Sequence, residues 1–222
     1  MNKKILVIAP HPDDEILGVG GTIARFAAEK AEVYIAVITK GYPPDYPEKI
    51  SQIGRREALA AHQILGVKET IFLTFPAARL DTIPHQEVNS QIFELIKKFQ
   101  PDTLFIPFYG DIHMDHQRVF LSSLVAGRPN NPYAPKAIYT YETLSETNWN
   151  APYLTTNFVP NVFVDISPYL EIKMEAMRMY ASQIKTFPNE RSEESLRALA
   201  TLRGSTVNHF AAEAFYLVRQ VI

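Results

Sequence analysis

The stretch Val7-Ile8-Ala9-Pro10-His11-Pro12-Asp13-Asp14-Glu15 decides the fold. The apolar run over residues 4–9 has the pattern of a strand buried on both faces. It stops at Pro10, and an imidazole and three carboxylates follow at once. Asp13, Asp14 and Glu15 suit a helix N-terminus, and Ile16, Leu17, Ile23, Ala24, Phe26 and Ala27 continue at helical spacing. A strand that runs straight into a helix, with polar side chains at the junction, is where a parallel α/β sheet places its chemistry.

Outward from this junction the chain alternates. Glu32 to Thr39 reads as a second strand. The loop from Lys40 to Lys49 carries Pro43, Pro44 and Pro47 beside Tyr42 and Tyr46, and its length makes it a candidate lid or substrate loop. Ser51 to Leu65 reads as a helix stopped by Gly66. A strand is predicted over Thr70–Phe75, an amphipathic helix over Gln86–Phe99, a strand over Thr103–Pro107 and a helix over Met114–Val125. This alternation predicts an α/β fold, a mostly parallel sheet with helices on both faces. After Gly127 the texture turns to Pro, Asn and aromatic residues. Strands are expected near Lys136–Tyr141 and Asn161–Val164, and helices over Tyr169–Ser182, Ser192–Leu202 and Ala211–Arg219. The reading is a single domain over residues 1–222, with an α/β core over 1–126 and a C-terminal elaboration over 127–222 packed on the active edge of the sheet.

Composition narrows the class. A hydrophobic share of 46% is ample for a core and argues against disorder. A net charge of -2 gives no attraction to nucleic acid or acidic membranes. There is no cysteine, so disulfides and thiolate metal sites are excluded. The apolar stretch after Met1 is too short for a signal-peptide core, and no run approaches bilayer length. The expectation is a soluble, cytoplasmic protein without membrane insertion.

The chemistry sits in two strand-end clusters. His11 and Asp14 are three apart at the first junction, so both can point into the crevice beyond the strand. Asp111-Ile112-His113-Met114-Asp115-His116 follows a later apolar run and supplies His116 as a third ligand. Two imidazoles and a carboxylate are a zinc donor set that leaves one position open for water. Such a set also accepts Fe(II), Co(II) or Mn(II). Asp13 diverges from Asp14 by about 100° around a helix, so it can reach a metal-activated water as general base. His113 shares a helix start with His116 and can stabilise an oxyanion or protonate a leaving group. Asp115 can hold one of these rings in its tautomer. The plainer alternatives are acids that complement the helix dipole and surface histidines. Tyr109 and Asp111 are candidates to line the pocket. Arg55 and Arg56 open the helix predicted from Ser51, where positive charge is electrostatically unhelpful, which marks them as candidate substrate contacts beside an ordinary salt bridge. His62 and His85 lack companions and read as surface residues. Gly18-Val19-Gly20-Gly21 has the wrong spacing for a dinucleotide fingerprint, with acids where a pyrophosphate needs bare backbone N–H groups.

The chain resembles the zinc-dependent de-N-acetylases of the phosphatidylinositol-glycan and LmbE-like type, relatives of the mycothiol and bacillithiol pathway deacetylases. Ala9 to Glu15 and Asp111 to His116 carry the resemblance. Glu57-Ala58 through Leu65-Gly66-Val67, Asp165-Ile166-Ser167, Lys173 to Gln183 and Ala212-Glu213-Ala214-Phe215 extend it. The resemblance implies a Rossmann-like fold and removal of acetyl from an N-acetylglucosamine-type sugar or its conjugate. It implies zinc on His11, Asp14 and His116, Asp13 as base, His113 acting on the tetrahedral intermediate and Asp115 supporting a histidine. The implied partner is a small amino-sugar substrate, and a homo-oligomer stays open. Family members often place a substrate arginine where this chain has Gly54, and an aspartate after the proline matching Pro76, where it has Ala77-Ala78-Arg79. Hydrolysis of another amide or ester, or a non-catalytic carbohydrate-binding protein retaining metal, are the competing readings.

Overall fold

The computed structural model describes residues 3–222; Met1 and Asn2, the start of the lead read above as no signal peptide, lie outside the described residues. Five strands alternate with helices in the order β1 (Lys4–Ala9), α1 (Asp14–Ala28), β2 (Glu32–Lys40), α2 (Glu48–Leu65), β3 (Glu69–Pro76), α3 (His85–Phe99), β4 (Thr103–Pro107), α4 (Met114–Ala126) and β5 (Ala137–Tyr141). The rest adds β6 (Val162–Asp165), α5 (Leu170–Met179), α6 (Glu193–Thr206) and β7 (Ala212–Gln220). The seven strands among the described residues form one sheet in the order β3-β2-β1-β4-β5-β7-β6. The first five are parallel, and β7 runs antiparallel between β5 and β6. This is the mostly parallel, doubly covered sheet that the alternation predicts.

β1 and β4 are buried along nearly their whole length, because apolar clusters cover both sheet faces. Ile5, Val7 and Ala9 face α1, α2 and α5, while Leu6 and Ile8 face α3 and α4. The chain crosses from one side of β1 to the other between β3 and β4, so the loops after β1 and β4 flank a topological switch point.

Two expectations fail here. Ala211–Arg219 is not a helix: Ala212–Gln220 forms β7. Its first four residues are buried on both faces of a sheet, so the segment lacks strand alternation, and Ala, Glu, Leu and Arg give it helical propensity. Pairing with β5 and β6 overrides that preference. Helix α2 begins at Glu48, so Arg55 and Arg56 lie two turns into it rather than opening it. The glycines of α1 are explained by packing. A Cβ on Gly21 would come within 2.7 Å of Ile166, and one on Gly18 would overlap the Tyr141 ring. No helix among the described residues is long and apolar enough to cross a membrane.

Candidate active site

His11 and Asp13 stand in the loop after β1, Asp14 opens α1, and His116 lies in the first turn of α4 after the β4 loop. Ligand atoms of His11, Asp14 and His116 lie within 4.8 Å of one another. Asp14 Oδ2 is 3.3 Å from His11 Nδ1 and 3.2 Å from His116 Nε2, and it accepts the His11 backbone N–H at 2.8 Å. Among the described residues, the buried atoms Asp14 Oδ1 and His116 Nε2 lack a well-aligned hydrogen bond, His116 Nε2 having only the Asp14 Oδ2 contact at 3.2 Å. Unsatisfied buried polar atoms are rare because each forfeits its hydration. A cation held by His11, Asp14 and His116 would offer such atoms a partner.

Each imidazole is backed by a carboxylate. His116 Nδ1 meets Asp111 Oδ2 at 2.8 Å, and Asp111 Oδ1 accepts from Thr147 Oγ1 at 2.6 Å. His11 Nε2 meets Asp115 Oδ2 at 3.1 Å. Asp115 also accepts the backbone N–H groups of Ala78 at 2.6 Å and Leu80 at 3.1 Å. These bonds orient the rings and turn the opposite nitrogens toward Asp14. His11, His113 and Asp115 form a second cluster of suitable donors. There, however, Asp115 is already bonded to two backbone amides and His11, and His113 Nδ1 accepts the Asp115 N–H at 3.1 Å. The first cluster is therefore the candidate metal centre.

Electrostatics follow this layout. Burial opposes a charge on Asp14, but His116 and His11 hold its carboxyl well below the usual range. Burial also opposes charge on His11, yet hydrogen bonds to Asp115 and Asp14 raise it to about 9. Asp13 caps α1 with φ 109°, a left-handed conformation that costs a non-glycine residue about 1–3 kcal/mol. Burial, with the like charges of Asp14 and Glu15, pushes its carboxyl up to about 8 against the pull of Arg191, whose Nη1 lies 2.8 Å from Asp13 Oδ2. A cation on Asp14 would draw this value down and keep Asp13 ionised. His113 is pushed down to about 4 by burial and then by His11. With Nδ1 occupied by the helix cap, neutral His113 carries its proton on Nε2.

His11, Asp13 and His113 line a cavity of about 330 Å³, together with Tyr46, Ile50, Gly54, Arg55, Glu146, Gln183 and Arg191, while Asp14 and His116 lie buried behind that wall. Arg55 reaches it, with its guanidinium bonded to the Leu73 carbonyl at 2.8 Å and resting over the Phe72 ring. The other three candidate substrate contacts do not line the cavity. Arg56 lies on the exposed face of α2. Asp111 is fully buried behind His116, where its carboxylate serves the imidazole. Tyr109 is 45% exposed and packs on Phe120, outside the lining. His62 is a further correction, since it is 2% exposed and bonded to Glu15. Arg191 and Glu146 come from irregular segments with no local sequence pattern, while Gln183 ends the Lys173–Gln183 segment noted above, and only the fold brings the three to the cavity that Asp13 lines. Gly54 lines the cavity with nothing closer than 3.8 Å to its missing Cβ, so close packing does not require a glycine there.

A diacetylchitobiose deacetylase from Thermococcus kodakarensis is 29% identical over 97% of this chain and 83% of its own length. The structure of an N,N'-diacetylchitobiose deacetylase from Pyrococcus horikoshii in complex with an inhibitor superposes with a TM-score of 0.79 at 27% identity, covering 97% of this chain and 84% of that one. The 4-carboxy-2-hydroxymuconate hydratase GalB from Pseudomonas putida KT2440 superposes with a TM-score of 0.77 at 20% identity, covering 99% and 98%. That last likeness speaks for the Rossmann-like fold alone, because one fold hosts many chemistries. The family model for PIG-L, GlcNAc-PI de-N-acetylase, matches residues 6–126, more than half of the chain. The matched span runs from β1 through α4 and holds both strand-end clusters, and the chain belongs to this PIG-L deacetylase family.

Proposed function

We propose that the protein is a zinc-dependent deacetylase that removes the acetyl group from an N-acetylglucosamine-type amino sugar or its conjugate. The observation that carries this reading is the convergence of His11, Asp14 and His116 donor atoms, with Asp14 Oδ1 and His116 Nε2 lacking well-aligned hydrogen bonds, beside Asp13 and His113 at the cavity wall. A zinc ion held by His11, Asp14 and His116 would supply Lewis acidity toward the acetyl carbonyl and toward water. Asp13 accepts the proton of the attacking water, with one oxygen on Arg191 and the other free for that proton. His113 offers its Nε2–H to the oxygen that becomes negative as the carbonyl carbon turns tetrahedral, which its low pKa suits better than proton donation. The proton on Asp13 then passes to the departing nitrogen as the C–N bond breaks, leaving a free amine and acetic acid, which ionises to acetate in water. Arg191 and Gln183 reach this wall from beyond residue 126, so the working unit is the whole chain.

Two measurements test the reading. Zinc-loaded protein should release acetate from N,N'-diacetylchitobiose or another N-acetylglucosaminide, and chelation should abolish that release. Release from a simple amide or ester but from no sugar would replace the substrate class and keep the chemistry. His116→Ala should lose its metal on dialysis, since the remaining His11 and Asp14 leave too few ligands for a zinc site. Elemental analysis showing unchanged stoichiometry would remove His116 from the ligand set. The same analysis of protein purified without added metal distinguishes zinc from Fe(II), Co(II) or Mn(II).

A further inference from the structure

Glu15 has no part in the chemistry above, yet its side chain is fully buried. An acid in the first turn of a helix ordinarily faces water and complements the dipole. Here Oε2 turns back to accept the N–H of Asp13 at 3.2 Å. Oε1 accepts from His62 Nε2 at 3.0 Å and from the Tyr180 hydroxyl. His62 stands on α2, and its Nδ1 meets Thr70 Oγ1 on β3 at 2.8 Å. Tyr180, directly after α5, is fully buried. His62 from α2, itself held by Thr70 of β3, and Tyr180 at the end of α5 thus converge on one carboxylate whose other oxygen holds the peptide of Asp13.

Helix capping alone does not need such an assembly. A glutamate can reach back to an N-cap N–H from the surface, whereas carboxylate, imidazole and phenol buried together are costly unless all are bonded. What sets α1 apart is its cap. The N-caps of α2 to α6 all have negative φ, and only Asp13 is left-handed, at 109°. Strained backbone at a reactive residue persists where its surroundings over-determine it.

We propose that Glu15, His62 and Tyr180 are positioning residues that hold Asp13 in its left-handed conformation and so aim its carboxylate at the attacking water. This rests on reading Asp13 as the base. Loosening the Glu15 anchor lets the Asp13 peptide relax toward negative φ and carries the carboxylate off line.

The test uses the zinc-loaded full chain with Tyr180→Phe, His62→Leu and His62→Gln, assayed by acetate release. Tyr180→Phe and His62→Leu should lower kcat roughly 10- to 100-fold, the scale of small misplacements of a reacting group. KM should stay within about 2-fold and zinc stoichiometry should not change. His62→Gln should recover most of the loss, because its amide can still donate to Glu15. If these residues act through Asp13, the double variant Asp13→Asn/Tyr180→Phe should be no slower than Asp13→Asn alone. Wild-type kcat in folded Tyr180→Phe and His62→Leu would overturn the proposal. So would the same fold loss repeated on the Asp13→Asn background, with the base assignment left standing. Full activity of Asp13→Asn would instead remove the base, and this proposal with it.

Discussion

Asp13→Asn should keep its metal and its fold while kcat falls by roughly 10²–10⁴-fold, the usual contribution of a positioned general base. The substitution is informative because it changes little else. Asparagine is one of the few residues besides glycine that adopts positive φ readily, so the left-handed cap at φ 109° survives. Its side-chain oxygen can still accept from Arg191 Nη1, and its backbone N–H can still donate to Glu15. None of the proposed ligands is touched. What disappears is the second carboxylate oxygen as a proton acceptor. Asp13→Ala is a poorer test, since it strands the Arg191 guanidinium and burdens the strained backbone at the same time. The informative readings are kcat, zinc content and melting temperature together. Turnover within a few-fold of the unaltered protein, with metal bound, would move the base elsewhere. Glu146 would then be the next carboxylate to test, because it lines the same cavity 3.6 Å from Arg191.

The N-terminal part of this fold is legible because its signals are local. β1, β2 and β4 are short apolar runs, and the helices after them carry 3.6-residue periodicity that no packing partner needs to correct. The proposed ligands are legible for the same reason: His11 and Asp14 adjoin one strand end, and His116 closely follows another. Legibility stops where position depends on distant chain. β7 reads as a helix because burial on both faces erases its alternation, and only the β5 and β6 edges make it a strand. Arg191 stands in a loop before α6, and nothing beside it in sequence announces that it meets a residue 178 positions earlier. Asp111 looks like a pocket residue by proximity to His113, but the turn before α4 swings it behind His116. His62 was within reach. Ala58, Ala61, His62 and Leu65 form one buried stripe of α2, and a histidine on an apolar stripe needs a polar partner inside the protein.

Lys173→Met should destabilise the protein by about 3–5 kcal/mol, the cost of stripping one partner from a buried ion pair. Lys173 and Glu213 are 3% and 5% exposed, with Nζ 2.6 Å from Oε1. The pair also enters the backbone of α1. Glu213 accepts the N–H groups of Gly21 at 2.9 Å and Thr22 at 2.7 Å, and Lys173 donates to the Leu17 carbonyl at 2.9 Å. One lysine from α5 and one glutamate from β7 therefore clasp the middle of the helix whose first residue is Asp14. The glycines make this approach feasible, since a Cβ on Gly20 would already press on Lys173 Cγ at 3.1 Å. Methionine fills the lysine stem but leaves the Glu213 charge with two amides and no cation, in a site closed to water. For a chain of this size the melting temperature should drop on the order of 10 °C. The double variant Lys173→Met/Glu213→Gln should lie well above the sum of the two singles, because each single leaves a polar group that the other removes. Urea unfolding of all three variants gives the coupling directly. A loss below about 1 kcal/mol for Lys173→Met would mean that water reaches Glu213 and replaces the lysine. Then the attachment of residues 127–222 to α1 would rest on apolar contacts such as Ile166 against Gly21 rather than on this ion pair.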